Sequence, residues 1–322
     1  MIKPCKGSPI GIVLTKVVLP LILFLFTRLG AAYPDRPIKV IVPTDPGGSV
    51  DLVARTIGRT IEENGLLDTK LVIVNQSGAG GTIGTRRIRD SKADGYTIGI
   101  WHQGLITSKA MQIVDYDHTA FEVIGSIGYS EVGIGTGPKS RIDGYSSLLE
   151  ESKPGSIKFA TNIGLPVHIV PMIFAEETDV SFQFIQVGGG SQRLSSILGG
   201  HTDLGIFSNL DFSSFYEAGI RPVVFFSEKR LEQYPDVPTA MEMGIDFSYH
   251  TLYICIAPKG LSQPILRILK SALKQASKDE SVIKHLASLG LVTHFQERSE
   301  IEPALNDILE RSIPLIDKMR NR

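Results

Sequence analysis

The chain has 322 residues, 42% of them hydrophobic and 21% charged, with a formal net charge of −1. That length exceeds what one hydrophobic core usually holds and predicts two lobes. No stripe of Lys and Arg occurs that could neutralise phosphates, which excludes nucleic acid as a partner.

Lys3, Lys6 and Lys16 precede an apolar run from Val17 to Phe26, and Gly30-Ala31-Ala32 follows just before Tyr33. This is the layout of a secretory signal peptide, cut after Ala32. The run is about half of the ~20 residues that a membrane-crossing helix needs. Residues 1–32 are therefore set apart from the fold, and the expected compartment is the periplasm. Losing Lys3, Lys6, Lys16 and Arg28 takes the net charge from −1 to −5. Anion specificity must then come from local dipoles rather than from bulk charge. Cys5 leaves with the leader, so Cys255 remains alone in an apolar stretch, where a buried structural role is expected.

From Ile38 the chain alternates apolar runs with amphipathic segments. Strands are predicted at 38–42, 70–75 and 96–102, with helices at 50–63 and 82–92. Val50, Val53, Ile57 and Ile61 fall on one helical face. This βαβ rhythm implies a parallel sheet covered on both sides. A weakly patterned stretch, 121–136, leads into a second series, with strands near 157–161, 182–187, 204–207 and 222–226 and helices starting near Val167, Ser191 and Phe212. A further apolar strand, 249–257, precedes three helical segments starting near Pro264, Ser281 and Glu300. Stretches 121–136 and 249–257 are read as two crossings between lobes, giving lobe one as 33–127 plus 253–322 and lobe two as 128–252. Two crossings make a hinge, and a cleft between lobes is a preferred small-molecule site.

Three strand-to-helix junctions share one construction, in which an apolar strand, glycines and a small hydroxyl residue lead into a helix. They lie at 43–51, 75–84 and 188–193. In the first, Gly47 and Gly48 allow close backbone approach, and Ser49 is expected to cap the following helix. Such a helix start offers unpaired N–H groups to an anion. The second junction carries no Lys for a P-loop, and it has Ile83 where the dinucleotide fingerprint needs its third glycine, so no nucleotide cofactor is expected.

Several motifs occur together in order. They are Tyr33-Pro34-Asp35-Arg36-Pro37-Ile38, Pro46-Gly47-Gly48-x-x-Asp51, Asn75-x-x-Gly78-Ala79-Gly80-Gly81-x-x-Gly84 and Asp94-Gly95-Tyr96-Thr97. Downstream come Gly188-Gly189-Gly190, Leu198-Gly199-Gly200-His201-x-Asp203 and Pro235-Asp236-Val237-Pro238-Thr239-Ala240-x-Glu242-x-Gly244. Across essentially the whole mature chain this resembles the Bug family, the TctC-type substrate-binding subunits of tripartite tricarboxylate transporters. The resemblance implies a two-lobed α/β periplasmic-binding-protein (Venus flytrap) fold that binds a small carboxylate. It would work, as a monomer, with membrane permease subunits or, alternatively, with a membrane sensor protein.

The resemblance puts Pro46, Gly47, Gly48, Ser49 and Asp51 on a first ligand loop and Gly78, Ala79, Gly80 and Gly81 on a second. The other candidates are His102 at a strand end in lobe one, and Asn162, Gly164, His168, Gly189 and Asp203 in lobe two. Asp51 is read either as facing a ligand ammonium or as a first-turn acid favoured by the helix dipole. For His168 a cleft role and a capping or packing role stand side by side. Two departures from the family pattern widen the ligand range toward an aromatic acid, an amino acid or an apolar monocarboxylate. Thr44-Asp45 replaces uncharged residues, and the segment Thr161 to His168 lacks the usual serine. No G-x-S-x-G elbow occurs and no two histidines stand four apart, so neither catalysis nor a metal is expected.

Overall fold

The computed structural model describes Met1 and residues 33–320. The predicted leader lies outside the described residues apart from Met1. The chain forms β1 (Ile38–Val42), α1 (Ser49–Glu63), β2 (Leu71–Asn75), α2 (Thr82–Arg89), β3 (Thr97–Trp101), α3 (Gly104–Ala110) and β4 (Phe121–Thr136). It continues through α4 (Tyr145–Glu150), β5 (Ile157–Thr161), α5 (Pro166–Thr178), β6 (Phe182–Gln186), α6 (Gly190–Leu198), β7 (Leu204–Ser208), α7 (Asn209–Phe215) and β8 (Arg221–Phe225). Then follow β9 (His250–Pro258), α8 (Gln263–Ser277), α9 (Glu280–Ser288), β10 (Leu291–Thr293) and α10 (Arg298–Arg320).

The strands run in the order β2-β1-β3-β9-β4-β7-β5-β6, with β8 and β10 also on β4. β1 is parallel to β2 and β3, and β5 is parallel to β6 and β7, so each lobe has its own α/β layer. In the first lobe Val50, Val53, Ile57 and Ile61 of α1 are all at most 5% exposed, the face that the helical spacing predicts. Burying side chains of this size contributes about 1.5–3 kcal/mol each. A separate core in the second lobe packs Phe159, Phe174, Leu204 and Phe226. Cys255 is buried in the first core, where loss of solvation pushes its thiol up to about 12.

The weakly patterned stretch is one 16-residue strand, β4, which serves both lobes. Its pairing with β9 runs as far as Glu131↔His250, and its pairing with β7 begins at Val132↔Ser208. The register slips twice, between Val123 and Gly125 and between Ser126 and Gly128, and these irregularities erase the alternation a sequence reading looks for. Gly128 shows why glycine is needed there. A Cβ at that position would lie 2.2 Å from the carbonyl oxygen of Val292 on β10. On the return path, Tyr249 still donates its N–H to Phe226 O in the second lobe, and His250 already pairs in the first. The two passages between lobes therefore lie side by side.

Candidate functional site

The C-terminal ends of β1, β2 and β3 in one lobe face those of β5, β6 and β7 in the other across a cavity of about 490 Å³. That volume suits a small organic molecule. Two contacts bring its walls together. Gly80 lies against Leu165, and Gly189 against Thr44, where an added Cβ would meet the opposite side chain at 3.5 and 3.8 Å.

At the first junction Gly48 is the N-cap residue of α1, and no side chain of its own loop caps the helix. The expected cap by Ser49 is corrected by the structure. Ser49 is the first helical residue, and its N–H donates to Asp211 Oδ1 of the second lobe at 3.0 Å. Asp211 also accepts from Ser208 N at 3.2 Å and Ser208 Oγ at 2.8 Å, so one carboxylate serves the starts of α1 and α7. Asp51 does not line the cavity. Its carboxylate accepts Gly47 N at 3.0 Å, Arg55 Nε at 3.0 Å and Asn75 Nδ2 at 2.9 Å. Burial opposes its charge, but those bonds outweigh it and hold the carboxyl below the usual carboxylate range. Of the two readings of Asp51, the structure supports the helix-start acid, which braces the loop rather than meeting a ligand.

The second junction bends sharply, with φ of +114° at Gly78, +45° at Ala79, +66° at Gly80 and +83° at Gly81. Gly81 admits nothing larger, since a Cβ would stand 2.5 Å from the Trp101 ring. Trp101 stacks on His102 with ring centroids 4.0 Å apart. His102 Nδ1 accepts from Gly104 N at 2.9 Å, which leaves Nε2 to carry the proton. Burial and the nearby charge of Arg193 push this imidazole down to about 3, so it stays neutral. Asp45 also lines the cavity, where it accepts a hydrogen bond from Ser77 Oγ and ties the two loops together.

On the second lobe Asn162 takes part in a small amide network, accepting from Gln186 Nε2 at 2.9 Å. Gly189 precedes α6, and its N–H donates to Gln192 Oε1 at 3.0 Å. Arg193, in the second turn of α6, is only 6% exposed yet lines the cavity. Its Nε donates to Ile206 O and its Nη1 to Gly188 O, both at 3.0 Å.

The cavity thus brings together Gly48, Ser49, Gly78, Ala79, Gly80, Gly81, His102, Asn162 and Gly189. Six other candidates do not line it. Pro46 and Gly47 turn outward on the exposed tip of the first loop. Gly164, at φ +87°, packs under Ile113. His168 is buried edge-on against Phe184, its ring centroid 4.9 Å away, with Nδ1 accepting from Gly164 N at 3.4 Å, so packing and capping explain it. Asp203 sits at the opposite end of β7, where it accepts Lys158 N at 2.8 Å. Arg193 and Asp211 were not singled out from the sequence. Ser208-x-x-Asp211 at the end of a predicted strand has the form of a capping box and could have drawn attention to Asp211. No comparable signal marks Arg193.

The sequence profile of tripartite tricarboxylate transporter family receptors (TctC) matches residues 53–321. The chain belongs to this family. The receptor is 29% identical to Protein BugT of Bordetella pertussis over 267 residues, covering 80% of this chain and 81% of that protein. It is 26% identical to a UPF0065 protein of Agrobacterium vitis, over 89% of this chain and 84% of the relative. Among solved structures, the periplasmic binding protein BugD superposes with a TM-score of 0.83 at 25% identity, covering 89% of the receptor and 98% of BugD. MatC from Rhodopseudomonas palustris, solved with malate, shares the fold at a TM-score of 0.79 and 22% identity, over 88% and 100% of the two chains. The receptor therefore has the two-lobed α/β periplasmic-binding-protein fold. Among the described residues no helix is long and apolar enough to cross a membrane, and no group of three or more His, Cys, Asp or Glu is placed to hold a metal ion.

Proposed function

We propose that this receptor captures a small carboxylate between its lobes in the periplasm, after loss of residues 1–32, and delivers it unchanged to membrane permease subunits. The observation that carries this reading is the cavity itself, enclosed by strand-to-helix junctions from both lobes and hinged on β4 and the start of β9. The second glycine loop, 78–81, and the neutral His102 are proposed to contact the ligand's body, with Asn162 and Gly189 opposite. MatC was solved with malate and another R. palustris protein of this fold with adipate, which supports an organic acid as cargo. The lobes are proposed to comprise 33–127 with 253–322, and 128–252.

A thermal-shift screen of mono-, di- and tricarboxylates tests this. An acid present at about 100 times its Kd should stabilise the fold by about 2.7 kcal/mol and be recovered unaltered by mass spectrometry. Conversion of a stabilising acid into another compound would reject pure capture.

A further inference from the structure

Three charged side chains line the cavity: Asp45, Arg193 and Asp211. Their hydrogen bonds leave them in different states. Asp211 is occupied by Ser49 and Ser208, and through Ser49 it already serves the start of α1, the place where the resemblance would put a ligand carboxylate. The start of α6 is different. Gly189 brings no side-chain cap to it. The Arg193 guanidinium folds back beside it toward Gly188 O, and Nη2 has no protein acceptor among the described residues. The Arg193 side chain is only 6% exposed and borders the cavity, with the charge of Asp211 nearby, and a guanidinium N–H without a protein acceptor in such a place favours an anionic oxygen.

We propose that Arg193 is a specificity-determining residue, taking one ligand carboxylate on Nη2 beside the start of α6, and that Asp45 and Asp211 restrict the cargo to acids with a single carboxylate. The inference rests on the carboxylate-capture reading. A second carboxylate would have to lie in the same enclosed space as two acids and only one guanidinium, and like charges brought together away from water repel strongly. The far end of the ligand is therefore neutral or cationic. The anchor lies on the second lobe, and the apolar walls of Trp101 and Leu165 are left for the ligand's body.

The test uses matched probes that differ only at the far end: hexanoate, 6-aminohexanoate and adipate, with parallel sets of four and eight carbons and a benzoate, 4-aminobenzoate and terephthalate set. Affinities come from calorimetry on the mature protein. In the best-binding set the single-carboxylate acids are expected to bind at least tenfold more tightly than the dicarboxylate. A dicarboxylate binding as well or better overturns the inference and leaves carboxylate capture standing; binding of no acid overturns both. In Arg193→Gln the best probe should lose roughly 30-fold or more in affinity, as expected when one partner of a buried charged pair is removed. Arg193→Lys, which keeps the charge, should recover part of that loss. Unchanged affinity in a folded Arg193→Gln protein overturns the inference, and should that variant not fold, the matched probes on the unaltered receptor decide.

Discussion

Asp51 and Asp211 are two carboxylates on neighbouring helix starts, and their partners give them different work. Asp51 is only 4% exposed and binds three donors of its own lobe, which fixes the first glycine loop. Its folded-state acidity is raised, so the stabilisation it gives is complete above the unfolded value of about 3.9 and is lost as pH falls through the lower folded value. Asp51→Asn should therefore cost about 1–3 kcal/mol at pH 7 and progressively less toward pH 3, read from urea denaturation midpoints. A cost independent of pH would show that the charge is not what matters. In the sequence this residue was ambiguous, because a first-turn acid and a ligand-facing acid occupy the same position. Only the partners Asn75 and Gly47, brought in by the fold, separate the two readings.

At the level of elements, α1 is the clearest case of a helix legible in advance, since its apolar face repeats at helical spacing and its start follows glycines. The start itself was misread, because the cap comes from Asp211, 162 residues away in the chain. Local signals cannot report a bond of that span. β4 was hidden for a different reason: two register slips against β9 and four scattered glycines break the period-two pattern. The bend at 78–81, by contrast, was legible, because positive φ over four consecutive residues demands a glycine-rich segment. Arg193 was not, since a lone arginine on a short helix reads as a solvated side chain until burial is known. Asp211→Ala removes a cap from α1 and another from α7, so a loss of about 2 kcal/mol is expected in urea denaturation. The same variant should enlarge the radius of gyration of the ligand-saturated protein, because the bond to Ser49 joins the lobes in the described arrangement. A variant unchanged in both measurements would mean that the bond holds neither helix nor lobe.

For the molecule as a whole, two adjacent passages of extended chain carry the covalent continuity between lobes among the described residues, and a few residues in such passages can absorb a hinge motion. Small-angle scattering should show the ligand-saturated protein matching the described arrangement and the free protein more extended. Identical curves in the two states would argue for a rigid cleft.

The placement of β9 also sets an order of assembly. It fills the slot between β3 and β4, although the whole second lobe is made before it. A chain that folds as it emerges N-terminus first can complete the later lobe while the earlier one still has an unfilled gap in its middle, one strand or about 4.8 Å wide on each side. The half that appears first is thus finished last, and its Ile- and Val-rich edges at β3 and β4 stay open to chaperones, or to stray pairing, until His250 and its successors arrive.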